Sequence, residues 1–382
     1  MKIPFHKAEL GNEEINAASE VIKSGWLTMG EKTFEFEREF CKYTGVSNSI
    51  AVNSCTAALH LALKAADIKS GDEVIIPAIT FIATWEVITY FGAVPVLCDV
   101  LKDSFLIDPS DIEKKITPKT KAVIPVHYGG ESCDMDSIME IARKHNLLVI
   151  EDAAHAFPTL YKGRMVGTIG DITCFSFYAT KTLTTGEGGM VTTENSDWAE
   201  RMRRLRLHGI TKDAWNRYSE KGSWEYDVSE AGYKYNITDI ASAIGVEQLK
   251  KCDEMNLARR KIAFKYNSAF SKSSLLDLWK VRDEAECAWH LYPVKLRLAA
   301  LKIDRNEFIV ELKNRGIGTS VHYIPMYRFT VFKDSGYTEK DFPGCEDIFP
   351  REVSLPIFPG MTDAETDYVI ENVLEVLDRN RR

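Results

Sequence analysis

The feature that most constrains this chain is a regular exchange of short apolar runs and amphipathic stretches that continues up to Asp152. Runs rich in β-branched residues begin at Ser49, Glu73, Val94, Ala122 and Leu147, and helical patterns cover 54–65, 84–90, 109–115 and 136–145 between them. Such alternation closes as a mostly parallel sheet with helices on both faces, since each crossover lays its helix back on the sheet. Strands covered on both sides read as continuous apolar runs, as these do. Pro125 lies inside the run 122–126, where it cannot donate to a ladder; we keep the run as a strand to its end at Val126.

The last run, Leu147-Leu-Val-Ile-Glu-Asp152-Ala-Ala-His155, ends abruptly in acid. A buried parallel strand of this kind delivers carboxylates to the C-terminal rim of the sheet, where ligands bind. Further on, Phe175-Ser-Phe-Tyr-Ala-Thr-Lys181-Thr-Leu-Thr-Thr-Gly-Glu-Gly-Gly189 opens as a strand and carries one lysine into a glycine-rich turn. The strand pattern resumes at 190–193. A lysine at a hairpin is ordinarily a solvated surface residue, but burial turns the same amine into a neutral nucleophile. A carboxylate for a protonated ring nitrogen and a lysine for an imine are together what pyridoxal phosphate requires. Ser54-Cys-Thr56, between a short strand and a strong helix former, offers free N–H groups and a helix dipole to its phosphate. The same residues would serve equally well as an ordinary helix cap.

The remaining chain adds context. Asn12 is expected to cap a first helix, and Trp26 lies in an exposed aromatic turn before a second helix at 33–43 that ends at Gly45. An arginine-rich helix spans 199–207, and the aperiodic stretch 211–232 carries Trp215, Tyr218, Trp224 and Tyr226. So dense a set of large aromatics argues for an interface or a functional loop. A long helix begins near Asp239 and runs past Lys261. Beyond it the pattern becomes α+β: a β-like run from Leu291, a helix at 305–315, and a capping box at Thr362-Asp-Ala-Glu365 that opens a final amphipathic helix. The expected division is a large domain at 1–249 and a small one at 250–382. A net charge of −8 disfavours nucleic acid or an anionic membrane as partner. No apolar run reaches bilayer length, no signal peptide is evident, and the eight cysteines form no Cys-x-x-Cys pair. These features point to a cytoplasmic protein with reduced thiols and no metal site.

Taken together the motifs resemble the DegT/DnrJ/StrS family of pyridoxal-phosphate-dependent sugar aminotransferases, of the type I fold. The resemblance rests on Ser-x-Thr-Ala-Ala-Leu, Ile-Pro-Ala-Ile-Thr-Phe-Ile-Ala-Thr, Glu-Asp-Ala-Ala-His and Phe-Ser-Phe…Lys…Gly-Glu-Gly-Gly. It extends through Gly-Tyr-Lys-Tyr-Asn-Ile-Thr-Asp, His-Leu-Tyr, His-Tyr-Ile-Pro and Ser-Leu-Pro-Ile-Phe-Pro-Gly. It implies that Lys181 carries the cofactor and Asp152 partners its ring nitrogen. Cys55, Thr56 and Ser176 would hold the phosphate, Phe81 would stack on the ring, and His155 would lie beside it. Asn236 would reach the phosphate of a neighbouring subunit in a homodimer with shared sites, and Trp26, His322 and Tyr323 would face the substrate. The implied reaction moves an amino group, with glutamate as donor, to the ketone of a nucleotide-linked deoxysugar. Cys55 replaces the family's usual glycine, while Tyr178 and Tyr327 stand where histidine is common.

Three rivals remain. A dehydratase of the same family commonly has histidine at the lysine position, which Lys181 contradicts. A non-catalytic cofactor-binding sensor is disfavoured by the pairing of Lys181 with Asp152 and by the lack of a basic patch. A nucleotide-dependent oxidoreductase lacks Gly-x-Gly-x-x-Gly after the first strand.

Overall fold

A computed structural model describes residues 1–211 and 226–382, so Trp215, Tyr218 and Trp224 lie outside the described residues. Helices α1 (Asn12–Ser24) and α2 (Glu31–Thr44) precede β1 (Asn48–Val52). There follow α3 (Cys55–Ala65), β2 (Glu73–Pro77), α4 (Ile82–Thr89), β3 (Val94–Cys98), α5 (Pro109–Lys115), β4 (Thr120–Val123), α6 (Met135–His145) and β5 (Leu148–Asp152). A short hairpin of β6 (Leu160–Tyr161) and β7 (Arg164–Met165) leads to β8 (Ile172–Ser176), β9 (Gly189–Thr193) and α7 (Ser196–Leu205). The long helix α8 (Asp239–Phe270) then opens the last part: β10 (Leu276–Leu278), β11 (Ala285–Glu286), β12 (Tyr292–Leu296), α9 (Arg305–Asn314), α10 (Pro343–Ile348), β13 (Glu352–Leu355) and α11 (Asp363–Arg379).

Among the described residues the main sheet has seven strands in the order β1-β9-β8-β5-β4-β2-β3. Within it β9 alone runs against the rest, pairing antiparallel with β1 and β8, while β8, β5, β4, β2 and β3 are mutually parallel. The mostly parallel α/β sheet predicted from the alternation is therefore the fold. A smaller antiparallel sheet, β10-β12-β13, lies in the C-terminal part.

Two local expectations are corrected. The strand read at 122–126 ends at Val123. Pro125 lies beyond it and contributes only its carbonyl, which accepts the Asp152 N–H at 2.9 Å, so its missing donor is never needed. Asn12 does not cap the first helix: Gly11 holds the cap position in extended backbone, and its N–H donates to the Glu14 carboxylate at 2.7 Å.

Helix α8 joins two cores. Val246, Leu249, Cys252 and Met255 pack with Phe36, Phe40, Phe175 and Phe177, whereas Ile262, Ala263, Tyr266 and Phe270 pack with Tyr292, Val294, Val353 and Leu355. Ile3 belongs to the second cluster, because its N–H donates to the Gly316 carbonyl at 2.8 Å. That return of the N-terminus brings Phe5 and His6 to the wall of the Lys181 cavity.

At the start of α8, buried Asp239 caps the N-terminus of α2. Its carboxylate accepts from the N–H groups of Gly30 (2.7 Å), Lys32 (3.1 Å) and Thr33 (3.0 Å), and from the Thr33 hydroxyl (2.8 Å). Removing an acceptor that satisfies several buried donors strands each of them. Asp239→Ala is expected to destabilise the protein by about 3 kcal/mol, read as a lower urea midpoint with cofactor affinity measured alongside. A midpoint within error of wild type would mean that solvent replaces the cap.

Candidate active site

The site is built where β8 and β9 diverge. Ser176, the last residue of β8, pairs in register with Gly189, the first of β9. A Cβ at Gly189 would come within 2.6 Å of the Ser54 carbonyl carbon and 2.8 Å of the Cys55 nitrogen. Only glycine lets β9 pass so close, and that approach sets Ser176 beside the N-terminus of α3. Ser54 caps this helix by accepting the Ala57 N–H at 3.1 Å. The N–H groups of Cys55 and Thr56 are left outside the helical ladder, which makes the turn an anion cradle. The bulk of Cys55 turns away from it, with Sγ 3.7 Å from the Cys174 carbonyl, and burial keeps the thiol protonated.

Asp152 closes β5. Its Oδ2 accepts from the Thr84 hydroxyl at 2.8 Å and its Oδ1 from the Ala154 N–H at 3.1 Å. Thr84 is held in turn by Thr80, hydroxyl to hydroxyl at 2.9 Å. Burial raises the pKa of Asp152 against these hydrogen bonds and the nearby Lys181 charge. A carboxylate in that condition is stabilised by a further cation, as a protonated pyridine nitrogen would be. Lys181 sits in the turn after β8, its N–H on the Tyr178 carbonyl at 2.9 Å. Burial lowers its pKa to about 8, although Cys55 and Asp152 pull the other way.

His155 links Gly129 to Tyr323. Its Nδ1 accepts the Gly129 N–H at 3.2 Å and must therefore be unprotonated, which puts the ring proton on Nε2, 3.0 Å from the Tyr323 hydroxyl. Burial, then Lys181 and His322, hold the imidazole well below its usual pKa, so this neutral tautomer persists. Tyr323 receives that proton and keeps its own hydroxyl hydrogen free to donate. His322 bonds Ser354 Oγ through Nδ1 at 2.8 Å, and burial lowers its pKa to about 3.

Lys181, His322 and Tyr323 line one cavity of about 50 Å3, with Phe5, His6 and His290. Phe81 stands at the head of α4 with 56% of its surface exposed and its ring 5.9 Å from that of Tyr323. Asn236 bridges Val52 at the end of β1, and its buried Oδ1 has no partner among the described residues. Trp26 is not brought to this cavity; its indole N–H donates to the Met29 carbonyl at 3.3 Å in the turn between α1 and α2. Thr84, His6 and His290 are further site residues that sequence reasoning did not single out. Thr84 had a signal, since Thr80 and Thr84 share one side of a helix start within a motif read only for Phe81. His290 had one, since it opens the His-Leu-Tyr motif of the resemblance, whereas His6 had none, because its neighbours are distant in sequence.

These residues fit pyridoxal phosphate: a buried amine of low pKa, a buried carboxylate short of a cation, and an anion cradle that a side chain at Gly189 would fill. A model of the DegT/DnrJ/EryC1/StrS aminotransferase family matches residues 8–374. The chain belongs to that family. As a member it is 48% identical over 377 residues to the spore coat polysaccharide biosynthesis protein SpsC of Bacillus subtilis, covering 98% of this chain and 97% of that one. Among solved structures, the candidate sugar aminotransferase Spr1654 of Streptococcus pneumoniae, in its pyridoxamine phosphate form, superposes with a TM-score of 0.93 at 35% identity. That match covers 99% of this chain and 100% of the other, and the pyridoxal phosphate form gives the same TM-score. PseC of Helicobacter pylori, an aminotransferase of pseudoaminic acid biosynthesis, gives 0.92 at 28% identity over 99% and 100% of the two chains. The cofactor of this aminotransferase is pyridoxal phosphate.

A titrating Lys181 has a measurable consequence. Below its pKa of about 8 the amine is mostly protonated and cannot attack the cofactor aldehyde. Recombination of cofactor-free protein with pyridoxal phosphate is expected to accelerate about tenfold per pH unit up to about pH 8 and then level off. A rate that continues to climb towards the pKa of an exposed lysine would show that this amine is solvated in the cofactor-free protein.

Proposed function

We propose that this aminotransferase moves the amino group of an amino acid, glutamate in our reading, to the keto carbon of a nucleotide-linked deoxysugar. The amino acid leaves as its 2-oxo acid and the sugar ketone becomes an amine, so no other reactant is consumed. The observation that carries the reading is the joint burial of Lys181 and Asp152 within one site, with the Lys181 pKa brought to about 8. Bound there, pyridoxal phosphate supplies an electron sink for the carbon that exchanges nitrogen. Asp152, fixed by Thr84 and Ala154, keeps the ring nitrogen protonated. Lys181 first tethers the cofactor and, once displaced, carries the proton between the two carbons. Cys55 and Thr56, through their backbone, and Ser176 hold the phosphate, and Phe81 covers the ring. His155 orients Tyr323, whose free hydroxyl proton, with His322, faces the substrate.

The sugar-nucleotide assignment is supported by relatives whose names place them in spore coat polysaccharide and pseudoaminic acid biosynthesis. We further propose a homodimer with shared sites, in which Asn236 and Trp26 act on the neighbouring subunit. The unsatisfied Asn236 Oδ1 and the position of Trp26 outside its own chain's cavity support it. Division near residue 250 is supported by the change of core along α8. A cytoplasmic location is supported by eight free cysteines.

One assay tests the reaction. Keto-sugar nucleotides are incubated with L-glutamate, and products are identified by mass and NMR. Amino sugar and 2-oxoglutarate should appear in equal amounts. A deoxygenated sugar formed without loss of glutamate would instead make the protein a dehydratase, and no conversion by cofactor-loaded protein across the set would favour a sensor.

A further inference from the structure

His322 lines the Lys181 cavity and lies in a stretch that runs antiparallel along β13. Ser320 and Ser354 bond each other's main chain, N–H to carbonyl, at 3.2 and 2.9 Å. Two residues further in opposite directions, that register sets His322 beside Glu352. The side chains agree with it. Glu352 accepts the His322 N–H on Oε2 at 3.0 Å and the Ser354 hydroxyl on Oε1 at 2.6 Å, while Ser354 Oγ bonds His322 Nδ1 at 2.8 Å. Glu352 and Ser354 share one face of the strand, as alternate residues do, and neither is more than 1% exposed.

The direction of these bonds is constrained. A backbone N–H can only donate, so Oε2 is always an acceptor and a proton on the carboxyl must sit on Oε1, facing Ser354. With Glu352 ionised, the serine hydroxyl donates to Oε1 and accepts from Nδ1–H, which leaves Nε2 bare. With Glu352 protonated, Oε1–H donates to Ser354, Ser354 donates to a bare Nδ1, and the ring proton is on Nε2. Nδ1 being engaged, Nε2 is the ring nitrogen left for a ligand, and the ring stacks at 5.5 Å on Phe5, another residue of the cavity wall.

The charged neighbours leave the carboxyl free to titrate. Arg305 on α9 acts on Glu352 through its charge, and Lys295 on β12 lies opposite it in register. Arg305 is committed to the Phe349 carbonyl and Lys295 to the Lys102 carbonyl at 2.6 Å. Tyr128 and Tyr323 are the other titratable groups that feel the carboxylate. Burial raises the Glu352 pKa to about 8, against the bonds from Ser354 and the His322 N–H and the Arg305 charge. Around the imidazole stand Lys181, His6, His155 and His290. Burial and then Lys181 lower the His322 pKa to about 3, so the ring stays neutral while Glu352 titrates.

We propose that Glu352 and Ser354 are positioning residues that set whether His322 offers Nε2 to the Lys181 cavity as a donor or as an acceptor. A proton that enters at Nε2 releases Nδ1–H to Ser354, and the serine proton passes to Oε1; the reverse sequence returns it. No charge remains on the imidazole at either end. The donor form suits a ketone oxygen and the acceptor form a hydroxyl or amine hydrogen. The inference deepens the reading that His322 faces the substrate.

The test follows the imidazole nitrogens of holoenzyme carrying isotope-labelled histidine by NMR, from about pH 6 to about pH 10, with His322 assigned by its loss in His322→Gln. The protonated nitrogen should change from Nε2 to Nδ1 as pH rises through about 8, with about a tenfold ratio of the two forms one pH unit to either side. In Glu352→Gln the amide must turn its oxygen to the His322 N–H and its NH2 to Ser354, so Nε2 should stay protonated throughout. In Ser354→Ala the tautomer should no longer follow pH. A change that persists in folded Glu352→Gln would belong to Lys181 and overturns the inference. A wild-type tautomer constant over the range, as a merely structural Glu352 would give, overturns it even if no variant folds. The spectra need no sugar, so that failure is separate from failure of the amino-transfer reading.

Discussion

Lys181→Ala is expected to lower turnover by at least about 10⁴-fold while the protein still takes up pyridoxal phosphate. The amine is asked to do two things that no neighbour can do. In the proposed reaction it would tether the cofactor through a bond that an incoming amine can displace, and would then carry a proton to and from carbon. The groups around it are unsuited to replace it: His155, His290 and His322 are held neutral by burial, and His322 is engaged with Ser354. Cofactor binding should persist because the phosphate cradle at Ser54–Thr56 and the Asp152 carboxylate are independent of the lysine side chain. Borohydride reduction of wild-type holoenzyme should fix the cofactor on the peptide that contains Lys181. Its recovery on any other lysine would falsify the assignment.

Asp152→Ala is expected to cost about 10²- to 10³-fold in kcat, the range seen when one preorganised electrostatic contact is removed from an active site. The carboxylate lies at the end of β5 with its Oδ1 and Oδ2 both occupied, so its position does not depend on the cofactor. Burial raises its pKa even against the nearby Lys181 charge, so a further cation at the carboxylate would stabilise its charged form. Without it the ring nitrogen loses its proton and the electron sink weakens, while Lys181 can still form its bond. Asp152→Asn should behave like the alanine variant, because an amide holds the shape without the charge. Turnover at the wild-type level in both variants would mean that another group protonates the ring. A selective loss of cofactor with unchanged kcat in fully loaded protein would make Asp152 a binding residue only. Thr84→Val should show a smaller deficit in the same direction, since it removes one bond to Oδ2.

The sequence by itself determined the sheet and the order of its elements, and it singled out Lys181 and Asp152, the two residues proposed to carry the chemistry. Periodicity and punctuation are local properties, and they survive in the structure: Gly45 ends α2 in the left-handed conformation, Thr362 and Glu365 cap α11 reciprocally, and the run to Asp152 is a buried strand. Where local reading slipped, the reason was a partner elsewhere. The Pro125 run stopped early because the proline needed only to offer its carbonyl to Asp152, and Gly11 held a cap through Glu14. The tertiary structure alone decided the wall of the cavity. His6 comes from the N-terminus, His290 from the segment before β12 and His322 from the segment between α9 and α10. No spacing in the sequence links them. It also decided their states, because the pKa of Lys181 and the tautomer of His155 depend on how much water packing excludes and on which distant N–H faces which nitrogen. Residue type can be read one position at a time; desolvation and hydrogen-bond direction exist only once the chain has closed around them.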